Sequence, residues 1–244
     1  MPKASLVIRA KNEARHLAET LDAIFTQTER SFEVILVDSG STDATLDIAR
    51  RYPIRILSII PEDFTYGRAL NYGIANAEGQ LIVCLSAHAT PVDDGWLAAL
   101  LSCFQNPLIA GAYGRQVPRD NVSFLELLGM RISGVTSLEA RLQRKNMTFS
   151  NANGAIRRDL WQTCCFDEAL AGAEDIVWAK QMLCRNLCIA YEPRAAVYHS
   201  HGEPLIALLR RQWRDYPVKL RLRFGANLPA ARPARLGYPE KRSR

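Results

Sequence analysis

Five short apolar runs, spaced by helix-length segments, constrain this chain more than any other feature. They read SLVIRA, EVILV, IRILSII, LIVCL and LIAGAYG. Each has the length of a strand and is too short for a buried helix. Between the first two, Leu17, Leu21, Ile24 and Phe25 recur at helical spacing, and Asn12 stands where the cap of that helix is expected. Leu46, Ile48 and Ala49 mark the inner side of a second helix, Gly67 to Ala77 a third that stops at Gly79, and DDGWLAALLSCF a fourth. Strands alternating with helices imply right-handed βαβ units and a largely parallel sheet, an α/β fold of Rossmann type. Ligands of such sheets bind beyond the carboxyl ends of the strands. That rule selects three polar clusters: Arg9 to Glu13, Asp38 to Asp43, and Ser86 to His88.

The second half is less regular. A helical stretch is expected from Phe124 to about Arg144. FSNANGAIRRDLW reads as a polar loop entering a short helix. GAEDIVWAKQML opens a helix with two carboxylates, and CIAYEPRAAVYHSH holds a strand ending in two histidines. The expected division is a ligand-binding half over 1–115, a second half of the same domain over 116–202, and a basic helical tail over 203–244. Residues 232–244 are expected to be disordered.

With 48% hydrophobic and 23% charged residues, the chain has the balance of a soluble globular protein. No apolar run approaches the roughly 18 residues of a spanning helix, and the first residues enter a strand at once, so a cytoplasmic location is expected. The six cysteines show no CxxC and no zinc spacing, which suits reduced thiols. From Glu203 to Arg244 there are eleven basic and three acidic residues, a local +8, so the first 202 residues carry −2 of the total of +6. A body of that charge argues against nucleic-acid binding.

No GxGxxG follows the first strand and no GxxxxGK[ST] occurs. The turn VDSGSTD offers carboxylates that suit ribose hydroxyls or an imide N–H. Asp38 and Asp43 suit turn-making and helix capping equally well. Glu174 and Asp175 begin a helix, where they are either caps or a carboxylate pair for proton transfer. His199 and His201, two residues apart after a strand, lie on one side.

Taken in order, SLVIRAKNEARHLAETLDAI, EVILVDSGSTDAT, YGRALNYGIANAEG, LIVCLSAHATP, FSNANGAIRRDLW, GAEDIVWAK and VYHSH resemble the motifs of family 2 glycosyltransferases, which have the GT-A fold. The likeness covers about Lys3 to Trp213. It implies a nucleoside diphosphate sugar donor, a hydroxyl acceptor and transfer with inversion. Arg9, Asn12, Glu13, Asp38, Ser39, Asp43, Arg68, Asn71, Ser86, Ala87 and His88 fall at donor-binding positions, and Asn151, Asn153 and Gly154 at sugar or acceptor positions. Asp175 takes the place of the catalytic base, with Glu174 beside it. One departure stands out. Where the family carries D-x-D, this chain has Ser86-Ala87-His88, which resembles a rhamnosyltransferase-like branch. The resemblance implies a divalent metal, Mn²⁺ or Mg²⁺, with His88, His199 and His201 as candidate ligands. Imidazole suits Mn²⁺ better than Mg²⁺. The order QxxRW of processive synthases is missing, so single-sugar addition is expected, in the assembly of cell-surface polysaccharide or glycolipid.

The tail alternates Val218, Leu220, Leu222 and Phe224 with Lys219, Arg221 and Arg223, and Pro217 is expected to break any long helix. Near an anionic bilayer its basic residues would supply at most about 5 kcal/mol, enough for peripheral contact at the inner face and for a lipid-linked acceptor. A solvated helix face packed on the body is an equal reading. Two rival functions remain open: an inactive nucleotide-sugar-binding relative, since the Asp pair is lost, and a membrane-surface adaptor built on the tail.

Overall fold

The computed structural model describes residues 1–120, 122–200 and 205–223. In chain order its elements are β1 (Ala4–Ala10), α1 (Leu17–Phe25), β2 (Phe32–Asp38), α2 (Thr45–Ala49), β3 (Arg55–Ser58), α3 (Tyr66–Ala75), β4 (Leu81–Ser86), β5 (Thr90–Pro91) and α4 (Trp96–Ser102). They continue as β6 (Ile109–Val117), α5 (Phe124–Ser133), β7 (Arg141–Gln143), β8 (Asn153–Arg157), α6 (Arg158–Thr163), α7 (Glu174–Cys184), β9 (Cys188–Tyr198) and α8 (Leu205–Arg223).

The strands form one sheet in the order β3-β2-β1-β4-β8-β6-β9-β5, with β7 also on β9. The βαβ crossovers make β3, β2, β1 and β4 parallel. β8 runs antiparallel between β4 and β6, and β6 pairs parallel with β9. A parallel strand covered on both faces must be apolar on both. Successive residues of β1 accordingly enter opposite cores. Leu6 and Ile8 join Leu17, Leu21, Ile24, Trp96 and Leu100 on one face. Val7 joins Leu70, Trp161, Trp178 and Met182 on the other.

Three local expectations are corrected. Asn12 does not cap α1, which begins at Leu17; it adopts a left-handed conformation (φ 56°) and its side chain accepts from the Thr42 backbone N–H. The helix begun at Phe124 does not reach Arg144. Gly134, at φ 74°, closes it, and β7 follows. Pro217 does not break α8, which passes through it. Pro217 is exposed, so the carbonyl left without an N–H faces water. His201 and residues 232–244 lie outside the described residues.

Candidate functional site

The carboxyl ends of β2, β1 and β4 lie side by side, and their register places the polar clusters on one edge. Ala10 is opposite Asp38 and Arg9 is opposite Ser86. The Ser86 N–H donates to the Ala152 carbonyl. This brings in the loop before β8, and the Asn151 N–H there donates to Asp175 at 3.3 Å. Asp38, Arg9, Ser86, Asn151 and Asp175 thus follow one another along a single rim.

On the β1 and β2 side of that rim, acidic and amide side chains hold the loops. Asp38 is buried and accepts from the backbone of Gly40 and Ser41 and from the Ser41 hydroxyl. Asp43 accepts from Thr45 and from the Ala14 N–H, and the first of these bonds lowers its pKa most. Thr45 in turn accepts from the Glu13 N–H at 2.7 Å. The second turn therefore fixes the first, and the first presents Glu13.

Glu13 lies 2.9 Å from His88 Nδ1. A carboxylate only accepts, so a proton sits on Nδ1, and in the neutral ring Nε2 is the lone-pair nitrogen. The His88 ring stacks on His199, with centroids 4.9 Å apart and planes at 9°. His199 Nδ1 donates to Gln116 Oε1 at 3.0 Å, and Gln116 Nε2 donates to Ser150, next to Asn151. A chain of contacts thus runs from Glu13 through the two stacked imidazoles to the loop that contacts Asp175. The His88 loop is braced by Arg119, which donates to Thr90 at 2.7 Å and approaches the His88 carbonyl.

The acidic pair is built differently. Ala173, the residue before α7, is held at φ 63°, a conformation that costs a residue with a Cβ about 1–2 kcal/mol. This turn sets Glu174 and Asp175 on opposite tasks. Glu174 is buried and accepts from Asn151 Nδ2. Asp175 accepts from the N–H groups of Asn151 and Ile176. Burial and the adjacent Glu174 carboxylate push Asp175 up to about 7, against the pull of those two N–H groups and of Arg9. A carboxylate that titrates near 7 is matched to proton transfer at neutral pH. Arg9 lies over the Tyr66 ring, 4.7 Å from its centroid, and Arg214 approaches the same ring at 5.2 Å.

Several sequence-predicted site residues make contacts within the protein itself. Asn71 is buried, its oxygen accepting from Trp161 and Phe166 and its amide donating to the Phe166 carbonyl and Glu168. Asn153 is likewise enclosed, accepting from Trp96 and donating to the carbonyls of Arg115 and Ala195. Gly154 allows close approach of its own loop, since a Cβ there would meet the Ser150 carbonyl at 2.5 Å. Ser39 bonds the Ala10 carbonyl, Ala87 lies in the core, and Arg68 pairs with Asp63. Gln116, Ser150, Tyr66 and Arg119 went unread in the sequence. Ser150 and Tyr66 lie inside the quoted motifs FSNANGAIRRDLW and YGRALNYGIANAEG, whereas Gln116 and Arg119 carried no signal.

A metal is tested by these donors. Among the described residues, no three His, Cys, Asp or Glu are grouped to hold one. The His88 and His199 rings lie stacked in near-parallel planes, an arrangement in which their in-plane lone pairs stay in separate planes. His88 by itself fits, because a carboxylate on Nδ1 is the partner that orients a metal-bound imidazole.

The family model for glycosyl transferase family 2 matches residues 5–164. The O-antigen chain rhamnosyltransferase RfbN of Salmonella typhimurium is 30% identical over 82% of this chain and 67% of its own length. WbaN of Salmonella anatum, of the same description, is 30% identical over 83% and 67%. Among solved structures, a mannosyltransferase of Pyrobaculum calidifontis in complex with GDP-Man and Mn²⁺ superposes with a TM-score of 0.70 at 21% identity, over 93% of this chain and 66% of that one. Glucosyl-3-phosphoglycerate synthase of Mycobacterium tuberculosis, with Mn²⁺ and UDP, gives 0.66 at 20% identity, over 93% and 81%. This chain spans about two thirds of the length of the two rhamnosyltransferases and of the mannosyltransferase.

Proposed function

The chain belongs to glycosyl transferase family 2, and from that premise we propose that it moves a sugar from a nucleoside diphosphate donor to a saccharide hydroxyl with inversion. The likeness to O-antigen rhamnosyltransferases supports a deoxyhexose donor and a place in polysaccharide assembly. In this reading the acceptor is lipid-linked and the protein works at a membrane surface. Among the described residues, no helix is long and apolar enough to cross a membrane.

The observation that carries the proposal is the placement of Asp175 on the shared rim beside buried Glu174, both held by Asn151, where burial and the neighbouring carboxylate push its carboxyl up to about 7. The acceptor hydroxyl gives its proton to Asp175 as its oxygen forms a bond to the anomeric carbon. The bond from that carbon to the diphosphate breaks on the opposite face, and the electron pair leaves with the diphosphate. Glu174, held by Asn151, keeps the base high in pKa without needing to touch the acceptor. Arg9 and the donor-side loops would bind and orient the nucleotide. His88, set by Glu13, would hold a divalent ion whose charge would offset that of the leaving diphosphate.

The test is a thermal-shift screen of UDP-, GDP- and dTDP-sugars with and without Mn²⁺, followed by product analysis. Ligands that bind only the folded chain raise its melting temperature. One donor should stand out, and its turnover should give the inverted anomer and stop in Asp175→Asn while donor binding persists. Donor binding without turnover under any acceptor would favour the inactive relative.

A further inference from the structure

Two helices turn apolar faces outward. α5 buries Glu126 and exposes Phe124, Leu125, Leu128 and Ile132. On α8, Asp215 and Arg214 are partly buried and paired at 2.8 Å, whereas Ile206, Trp213, Tyr216 and Leu220 are exposed, Trp213 to 82%. With 3.6 residues per turn, Ile206, Trp213, Pro217 and Leu220 fall within an arc of about 60°. Arg210 and Arg221, both exposed, border that arc on one side, and Tyr216 borders it on the other. Leu222 is buried on the opposite side, so α8 seats an apolar residue on the body yet turns a larger apolar arc outward than a helix packed in water does.

We propose that the outward faces of α5 and α8 dock on an anionic lipid bilayer. Apolar side chains with Trp and Tyr among them, rimmed by arginine, suit the boundary between headgroups and acyl chains. Arg131, Arg144 and Lys145 add exposed positive charge near α5. The segment from Glu203 to Arg244 holds +8 while the remaining 202 residues hold −2. A second copy of the chain would set like charge against like, and a soluble phosphate would leave the apolar arc in water. The proposal deepens the membrane-side reading given above, but vesicle binding is measured without sugar transfer and stands or falls apart from it.

The full chain is mixed with vesicles of phosphatidylcholine alone or with about a third phosphatidylglycerol, and sedimentation and tryptophan emission are followed. Trp96, Trp161 and Trp178 are buried, so a blue shift reports Trp213. Binding should need the anionic lipid, weaken with salt and shift the emission. The double variant Trp213→Glu with Leu220→Glu, and separately Ile132→Glu, should each lower vesicle affinity by about tenfold. These side chains are exposed, so donor binding and melting temperature should be unchanged. The proposal is overturned by no sedimentation with either vesicle, by equal binding to neutral lipid, or by variants that bind as the parent does. A dimer seen by light scattering that dissociates in the double variant, with no vesicle binding, would assign the face to a second copy and overturn it as well.

Discussion

The loops on the two sides of the crevice are held in opposite ways. After β1 and β2, on the side proposed to take the donor, Asp38, Asp43 and Asn12 satisfy the backbone around them, and each carboxylate or amide relaxes a turn. At the start of α7, on the side proposed to take the acceptor, Ala173 is held in a left-handed conformation and two carboxylates are crowded at its end. One side is an arrangement of solved local problems and the other is a concentration of unfavourable terms. The difference teaches where chemistry is placed. A nucleotide needs a fixed cradle, whereas a base needs an environment that withholds solvation from its charge.

The largest effect expected from breaking this contrast lies at Asp175. Asp175→Asn should lower turnover by about 100- to 10,000-fold while leaving the donor-dependent thermal shift in place. In the parent, the rate should rise with pH through a limb near 7, where Asp175 loses its proton. Stability should run the other way. An unfolded aspartate ionises near 4, so the folded chain loses stability as pH climbs from about 4 through 7. Asp175→Asn should therefore melt above the parent at pH 8, with the gap closing by pH 4.

The next effect tests whether Asn71 belongs to the scaffold. Removing its buried amide strands the Trp161 and Phe166 N–H groups and the Phe166 carbonyl. Asn71→Ala should cost about 3 kcal/mol, some 6–12 °C in melting temperature, with donor affinity unchanged in the folded fraction. A donor affinity that fell with melting temperature unmoved would return Asn71 to the donor site.

A smaller effect is expected on the donor side itself. Glu13→Ala frees the His88 ring, and Mn²⁺-dependent donor binding should weaken by about 10- to 100-fold. Binding without metal serves as the control. The smallest effect is at the strained turn. Ala173→Gly relieves the left-handed conformation and should raise stability by about 1 kcal/mol or less. A loss of stability there would mean that the Ala173 methyl packs better than the turn is strained.

Much of the donor half was legible because its signals are local. Apolar runs five to seven residues long and helical spacing give strands and crossovers, and the crossover rule then sets parallel pairing and the binding edge. The acceptor side was legible only through motif resemblance. Asn153 and Asn71 look alike in sequence to residues that touch a ligand. Whether an amide faces a crevice or an indole N–H depends on Trp96 and Trp161, which lie 57 and 90 residues away. Gln116 had no readable signal because its partners, His199 and Ser150, come from separate elements.

By itself the sequence determined the α/β class, the strand edge on which the polar clusters gather, and which residue types reach it. Those follow from periodicity and chain handedness, which act over neighbouring residues. Tertiary structure alone decided that His88 stacks on His199, that Glu13 lies against His88 Nδ1, and that burial beside Glu174 pushes the Asp175 carboxyl up to about 7. Each of these depends on groups far apart in the chain being brought within a few ångströms, where desolvation and hydrogen-bond geometry, not residue type, fix the chemistry.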